Sequence, residues 1–139
     1  MTIASRRDAV EHITVADIDG RRADFAASTA SRNERGRRVM ATTVDASSAQ
    51  SVSELARACR ADVVLNACDP RFNPWVFDGA FDAGTNYIDM AMHVSVPNPE
   101  RPFSDIGVLL GERQLAASER WESRGQLALV GMGVEPGFS

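Results

Sequence analysis

The chain has 139 residues, 44% hydrophobic and 24% charged, which suits one globular domain, or most of one, with a continuous core. A net charge of -4 argues against a general nucleic-acid or anionic-membrane binder, because such partners require a basic surface. All 15 basic residues are arginine, so no catalytic or Schiff-base lysine can come from this chain.

The first residues offer Ile3, Ala4, Arg7 and Val10 at rough helical spacing. A β-branched run at 13–16 then ends in Asp17 and Asp19, with Arg21 and Arg22 opening an incipient helix. In a Rossmann domain this is the pattern of the second strand. Its terminal acid accepts from the adenosine ribose hydroxyls, and a nearby arginine favours a 2′-phosphate. Taken in isolation, Asp17 reads first as a strand-terminating turn residue. A complete domain places a strand and a GxGxxG turn before this point, where the pyrophosphate rests on a helix N-terminus. Only MTIASRRDAVE precedes it here. The expectation is therefore a core lacking its first strand and glycine-rich loop, in which the opening residues are the back half of the helix after that loop.

Residues 23–31 are alanine-rich, with Phe25 and Ala26 as candidates for burial, and lead into an arginine cluster that includes Arg32, Arg35, Arg37 and Arg38. Such a cluster serves as a solvated face or as phosphate steering. Gly36 marks a stop. Residues 39–44 form the next expected strand, ending at Asp45. Val52, Leu55, Ala56 and Cys59 follow at i, i+3, i+4 and i+7, with Ser51 and Glu54 at capping-box spacing. Residues 62–68 are almost continuously apolar, the pattern of a strand covered on both faces. Asn73 and Pro74 look like an N-cap and first-turn proline. Val76, Phe77, Ala80 and Phe81 supply the apolar stripe, and Gly84 supplies the stop. Another strand is expected at 87–90. The prolines of 96–105 confine that segment to a loop. Leu110, Ala117 and Trp121 share a helical face that Gly125 closes, before a final strand in LALVGMGV.

Strands alternate with helices throughout, so the expected fold is α/β: a Rossmann-like, doubly wound parallel sheet. Asp17, Asp45, Cys68 and Asp89 all fall at carboxyl ends of expected strands, where open sheets bind ligand. Asn66 is singled out because a polar side chain inside an apolar strand needs a partner. His93, just beyond a strand end, has the intrinsic chemistry for proton transfer or is simply a loop histidine. Cys59 and Cys68 lack a CxxC partner, and His12 and His93 complete no metal-ligand spacing, so no metal is expected. Both cysteines read as small buried hydrophobes in a reducing cytosol. With no secretory h-region and no apolar run of about 18 residues, a cytoplasmic location is expected.

The succession ITVADID, TTVDAS, ADVVLNACDP, GTNYIDMA and LVGMGVEPGFS resembles the NAD(P)-binding domain of the saccharopine dehydrogenase-like reductases. That family includes saccharopine reductase, carboxynorspermidine dehydrogenase and lysine dehydrogenases. The resemblance covers residues 3–139 and implies a dehydrogenase core with NAD or NADP as cofactor and a small amino-acid or amine substrate. It places Asp17 and Arg22 near the adenosine ribose, and Asp45 and Ala46 beside the adenine. Asn66, Ala67 and Cys68 would run along the middle of the cofactor, and Asp89, Met90 and Ala91 would approach the nicotinamide. Glu135, Pro136 and Gly137 resemble the turn into the family's substrate domain, which is expected to be absent from this chain. By itself the chain is expected to be inactive, with negligible nicotinamide affinity. A non-catalytic nucleotide- or partner-binding module, self-associating through open sheet edges, is the alternative. A short-chain dehydrogenase is excluded, since the Tyr and Lys pair it needs is missing.

Overall fold

The computed structural model describes residues 10–31 and 38–133. Ile3, Ala4, Arg7, Arg32, Arg35, Gly36, Arg37, Glu135, Pro136 and Gly137 lie outside the described residues. The elements run β1 (His12–Asp17), α1 (Gly20–Ser31), β2 (Arg38–Thr43), α2 (Ala49–Ala58), β3 (Val63–Asn66), a 3-10 turn at Pro70–Phe72, α3 (Asn73–Ala83), β4 (Asn86–Asp89), α4 (Glu112–Ala116), α5 (Ser118–Glu122) and β5 (Ala128–Leu129). Every pairing between these strands is parallel: β1 with β2, and β3 with β4 with β5. The fold is α/β and Rossmann-like. Among the described residues no strand joins the two sheets, and the chain divides into two compact units, 1–45 and 46–139.

In the first unit, α1 buries Ala23, Ala27 and Ala30, a stripe at i, i+4 and i+7. Phe25, expected inside, is 74% exposed. At 100° per residue it lies on the opposite side of the helix from Ala23 and Ala27, so the small side chains face inward. Asp19 caps the helix by accepting the Arg21 N–H at 2.9 Å.

In the second unit, the cap of α2 is Ser48, which accepts the Ser51 N–H at 3.2 Å. The expected box of Ser51 and Glu54 lies inside the helix, where Gln50 donates to Glu54 at 2.8 Å. Val52, Ser53 and Ala56 are buried. Helix α3 approaches α2 at Gly79, where an added Cβ would stand 2.6 Å from the Ala49 carbonyl oxygen and 2.7 Å from Val52 Cβ. Phe77 meets Tyr87 edge-on with centroids 5.1 Å apart, and Trp121 lies 4.8 Å from Phe77 and 5.3 Å from Phe81. Arg120 and Arg124 cover the Phe81 ring, and Asp78 receives Arg113 at 2.6 Å and Arg120 at 3.3 Å. One long helix carrying Leu110, Ala117 and Trp121 on a common face does not form. Two short helices replace it, Leu110 is exposed, and only Trp121 of the three is buried.

Two other expectations change. Val63 and Leu65 are 45% and 52% exposed, so β3 is covered on one face rather than both; with a side-chain period of two, they share the open side. Cys59 and Cys68 are exposed. Cys59 follows the last turn of α2, and Cys68 lies beyond the end of β3, so neither reaches the core.

Three helices end in the same motif. Past α3, Gly84 adopts φ 80, with its N–H on the Phe81 carbonyl and the Thr85 N–H on Ala80; past α5, Gly125 adopts φ 66, with Gln126 reaching Trp121. Past α2 the left-handed position falls to Arg60 at φ 51, while the Ala61 N–H reaches Ala56. A left-handed residue carrying a Cβ is strained, which glycine avoids. Arg60→Gly is therefore expected to raise stability in urea denaturation by about 0.5–1 kcal/mol. Gly79→Ala is expected to lower it by about 1–3 kcal/mol despite its better helix propensity, because backbone must move.

Candidate functional site

The carboxyl ends of the strands carry two clusters, one within each unit. In the first, β1 and β2 run in register with Asp17 opposite Thr43. The Val44 N–H donates to the Asp17 carbonyl at 3.1 Å, so both chains leave the sheet at the same end. The Asp17 side chain serves the turn through one oxygen: Oδ1 accepts the Asp19 N–H at 2.9 Å. Among the described residues Oδ2 has no protein donor. Arg21 and Arg22 stand on the first turn of α1 with well exposed side chains, 3.6 and 3.9 Å from the Asp19 carboxylate. Asp45 is exposed two residues beyond β2. This cluster offers an open acceptor and exposed cations, groups of the kind that can hold hydroxyls and a phosphate.

The second cluster is a buried network. Asn66 ends β3, Asp89 ends β4, and both are buried, Asp89 completely. Asn66 Nδ2 donates to Asn73 Oδ1 at 2.8 Å and to the Tyr87 oxygen at 3.1 Å, while its Oδ1 accepts the Cys68 N–H at 3.0 Å. Tyr87 donates to Asp89 Oδ2 at 3.0 Å; Gln114 Nε2 donates to the same oxygen at 2.6 Å, and the Gly131 N–H donates to Oδ1 at 2.6 Å. Asn73 Nδ2 donates to the Ala91 carbonyl at 2.6 Å. Burial pushes the Tyr87 phenol far up, opposed by the Asn66 hydrogen bond and reinforced by the Asp89 carboxylate.

Asn66 therefore has its partners inside the protein, and its side chain and that of Asp89 face the interior; what remains for a ligand there is backbone. Asn73, expected as a helix cap, is an interior link instead, and α3 begins without a side-chain cap. Ala67, Cys68 and Met90 are exposed at the strand ends, and Ala46 is partly exposed. His93 is partly exposed, with its N–H on Gln114 Oε1 and its Nδ1 3.2 Å from the Pro70 carbonyl. Gln114 and Gly131 did not stand out in the sequence, and Asn73 did so only as a helix cap. The usable signal was the pair of glycines in VGMGV: a Cβ on Gly133 would fall 1.8 Å from the Met90 carbonyl oxygen, the mark of two backbones packed directly together.

The sequence matches the saccharopine dehydrogenase NADP binding domain family over residues 1–129. The chain belongs to this family. Its structure is similar to that of apo histidine-tagged saccharopine dehydrogenase (L-Glu forming) from Saccharomyces cerevisiae. The TM-score is 0.66 and the identity 17%, over 97% of this chain and 24% of that one. This likeness shows the fold. The chain spans about a quarter of that enzyme's length. No curated protein matches it by sequence.

NAD(P) is thus the cofactor of the family, and the first cluster fits its adenosine end through Asp17 Oδ2 and the exposed guanidinium groups. The described helix starts following β1 and β2 do not fit its diphosphate, since Asp19 caps α1 and Ser48 caps α2.

The Tyr87 phenol links Asn66 to Asp89, so Tyr87→Phe is expected to cost about 1–3 kcal/mol at neutral pH by leaving buried polar atoms short of a partner. Its folded-state value lies above the ordinary phenol value of about 10. The unfolded chain thus releases this proton first, and stability present below pH about 10 falls progressively above it. With no lysine and one tyrosine in the chain, denaturation of the parent and of Tyr87→Phe followed from pH 9 to 11.5 reads this phenol's share of the slope as the difference between the two, the free thiols of Cys59 and Cys68 being common to both.

Proposed function

We propose that the chain carries part of the NADP-binding domain of an oxidoreductase acting on the CH–NH group of an amino-acid or polyamine-type substrate. The observation that carries this reading is the open Asp17 Oδ2 at the carboxyl end of β1, beside the exposed Arg21 and Arg22. Asp17 would accept from a ribose hydroxyl, Arg22 would pair with a 2′-phosphate, and Asp45 and Ala46 would flank the adenine. When bound, the cofactor supplies hydride transfer at its nicotinamide. The exposed backbone at Ala67, Cys68 and Met90 would line the ligand at the ends of β3 and β4. Asn66 and Asp89 would hold that backbone in place from beneath. His93 would exchange a proton with the substrate nitrogen.

The match to a quarter of the yeast enzyme supports residues outside this chain as the source of the substrate-binding part. No described helix is long and apolar enough to cross a membrane. Self-association is favoured by the half-exposed Val63 and Leu65 on β3, whose outer edge is unpaired among the described residues.

A fragment of the cofactor tests the adenosine assignment without requiring a diphosphate cradle. In NMR titrations 2′,5′-ADP is expected to bind weakly and to shift the amides of residues 17–22 and 45, more tightly than adenosine 5′-phosphate. Arg22→Ala should erase that preference, and Asp17→Ala should weaken both nucleotides roughly tenfold, the effect of one hydrogen bond to a charged group. Neither nucleotide shifting these amides would leave the non-catalytic partner-binding module as the better reading.

A further inference from the structure

The loop after β4 is gripped around one histidine. The His93 N–H donates to Gln114 Oε1 at 2.9 Å, and its carbonyl accepts the Gly111 N–H at 2.9 Å. Its Nδ1 lies 3.2 Å from the Pro70 carbonyl oxygen. A carbonyl oxygen accepts and never donates, so in this contact the Nδ1 of a neutral ring carries the hydrogen. Nε2 then holds the lone pair. A histidine side chain in water favours the opposite tautomer, so the contact with Pro70 selects the less common form.

Gln114 holds the same histidine from its backbone side. Its nitrogen donates to Asp89 Oδ2 and its oxygen accepts from His93. A carboxylate cannot donate and a backbone N–H cannot accept, so the amide has one permitted orientation. The buried carboxylate orients the amide, the amide places the His93 backbone, and the ring reaches Pro70. On the far side the Pro70–Phe72 turn is fixed by exposed Asp69, whose Oδ1 accepts the Arg71 N–H at 3.0 Å.

We propose that Gln114 is a positioning residue that locks His93 as the Nδ1–H tautomer and so presents Nε2 as a proton acceptor near the carboxyl end of β4. This rests on the reading of His93 as the proton-exchanging group. Its ligand is then an ammonium group: an N–H bond of the ammonium breaks, a bond from Nε2 to that proton forms, and the ring becomes imidazolium while Nδ1–H stays on Pro70. The reverse step returns the proton and the neutral ring. No other co-reactant is needed.

The two histidines make a direct test by 15N NMR of the ring nitrogens, taken above the titration of both. His12, exposed at the start of β1, reports the water-like tautomer in the same spectrum. His93 should show the reverse pattern, with a protonated-type shift at Nδ1 and a lone-pair shift at Nε2. Gln114→Met, which keeps volume and removes both hydrogen bonds, should lower the Nδ1–H to Nε2–H ratio of His93 about 3- to 10-fold. Asp69→Ala, at an exposed position, should lower it in the same direction. A His93 pattern like that of His12 in the parent chain overturns the proposal. So does an unchanged ratio in folded Gln114→Met or, where that variant does not fold, in Gln114→Asn, whose shorter amide cannot span both partners. Nucleotide-fragment binding at residues 17–22 is read from separate signals, so either reading can fail while the other stands.

Discussion

A single buried carboxylate organises the second unit. Among the described residues no cation stands beside Asp89; it is held by the Tyr87 hydroxyl, the Gln114 amide and the Gly131 N–H, with the Met132 N–H on its backbone carbonyl. An ionised group out of water is tolerated only when such donors replace its hydration. Each donor comes from a different piece of chain: Tyr87 from β4 itself, Gln114 from α4, and Gly131 from the turn after β5. Satisfying the charge therefore brings the carboxyl ends of the sheet together. The constraint extends outward through Tyr87 to Asn66 and Asn73, and through Gln114 to the His93 loop.

The parallel α/β order was legible because its signals are local. Apolar runs ending in acids marked β1, β2 and β4, and Gly84 and Gly125 announced left-handed helix ends through the one residue that takes them without strain. What was not legible depended on direction. Nothing in the order of residues says that Phe25 points to water while Ala23 and Ala27 pack, or that the polar side chain of Asn73 turns inward instead of capping α3. Arg60 hides a helix end that a glycine would have displayed. Of the site, the strand-end positions of Asp17 and Asp89 could be anticipated, yet not their different fates. The hydrogen bonds of Asp89 come from residues up to 42 positions away, and such long-range partners leave no local trace.

Asp17 shows how a turn residue can keep an acceptor open. One oxygen holds the Asp19 N–H and closes the turn, which pins the carboxylate against rotation; the other is left pointing away from that bond. A carboxylate preorganised in this manner loses less freedom on meeting a hydroxyl group than a loose one would. The same division of labour recurs in Gln114, where one end of an amide is anchored and the other end places a neighbour.

The short β5 illustrates what such anchoring entails. Two residues of ladder are too few to make a strand cooperative on their own account. Its ladder and the Leu127 bonds to Tyr87 and Asn86 are reinforced past the strand's end by the Gly131 and Met132 amides, which both reach Asp89. The exit end of the sheet is thus latched twice on one residue, by the Gly131 amide on the Asp89 carboxylate and by the Met132 amide on its backbone carbonyl, so loss of the side chain would free only the first.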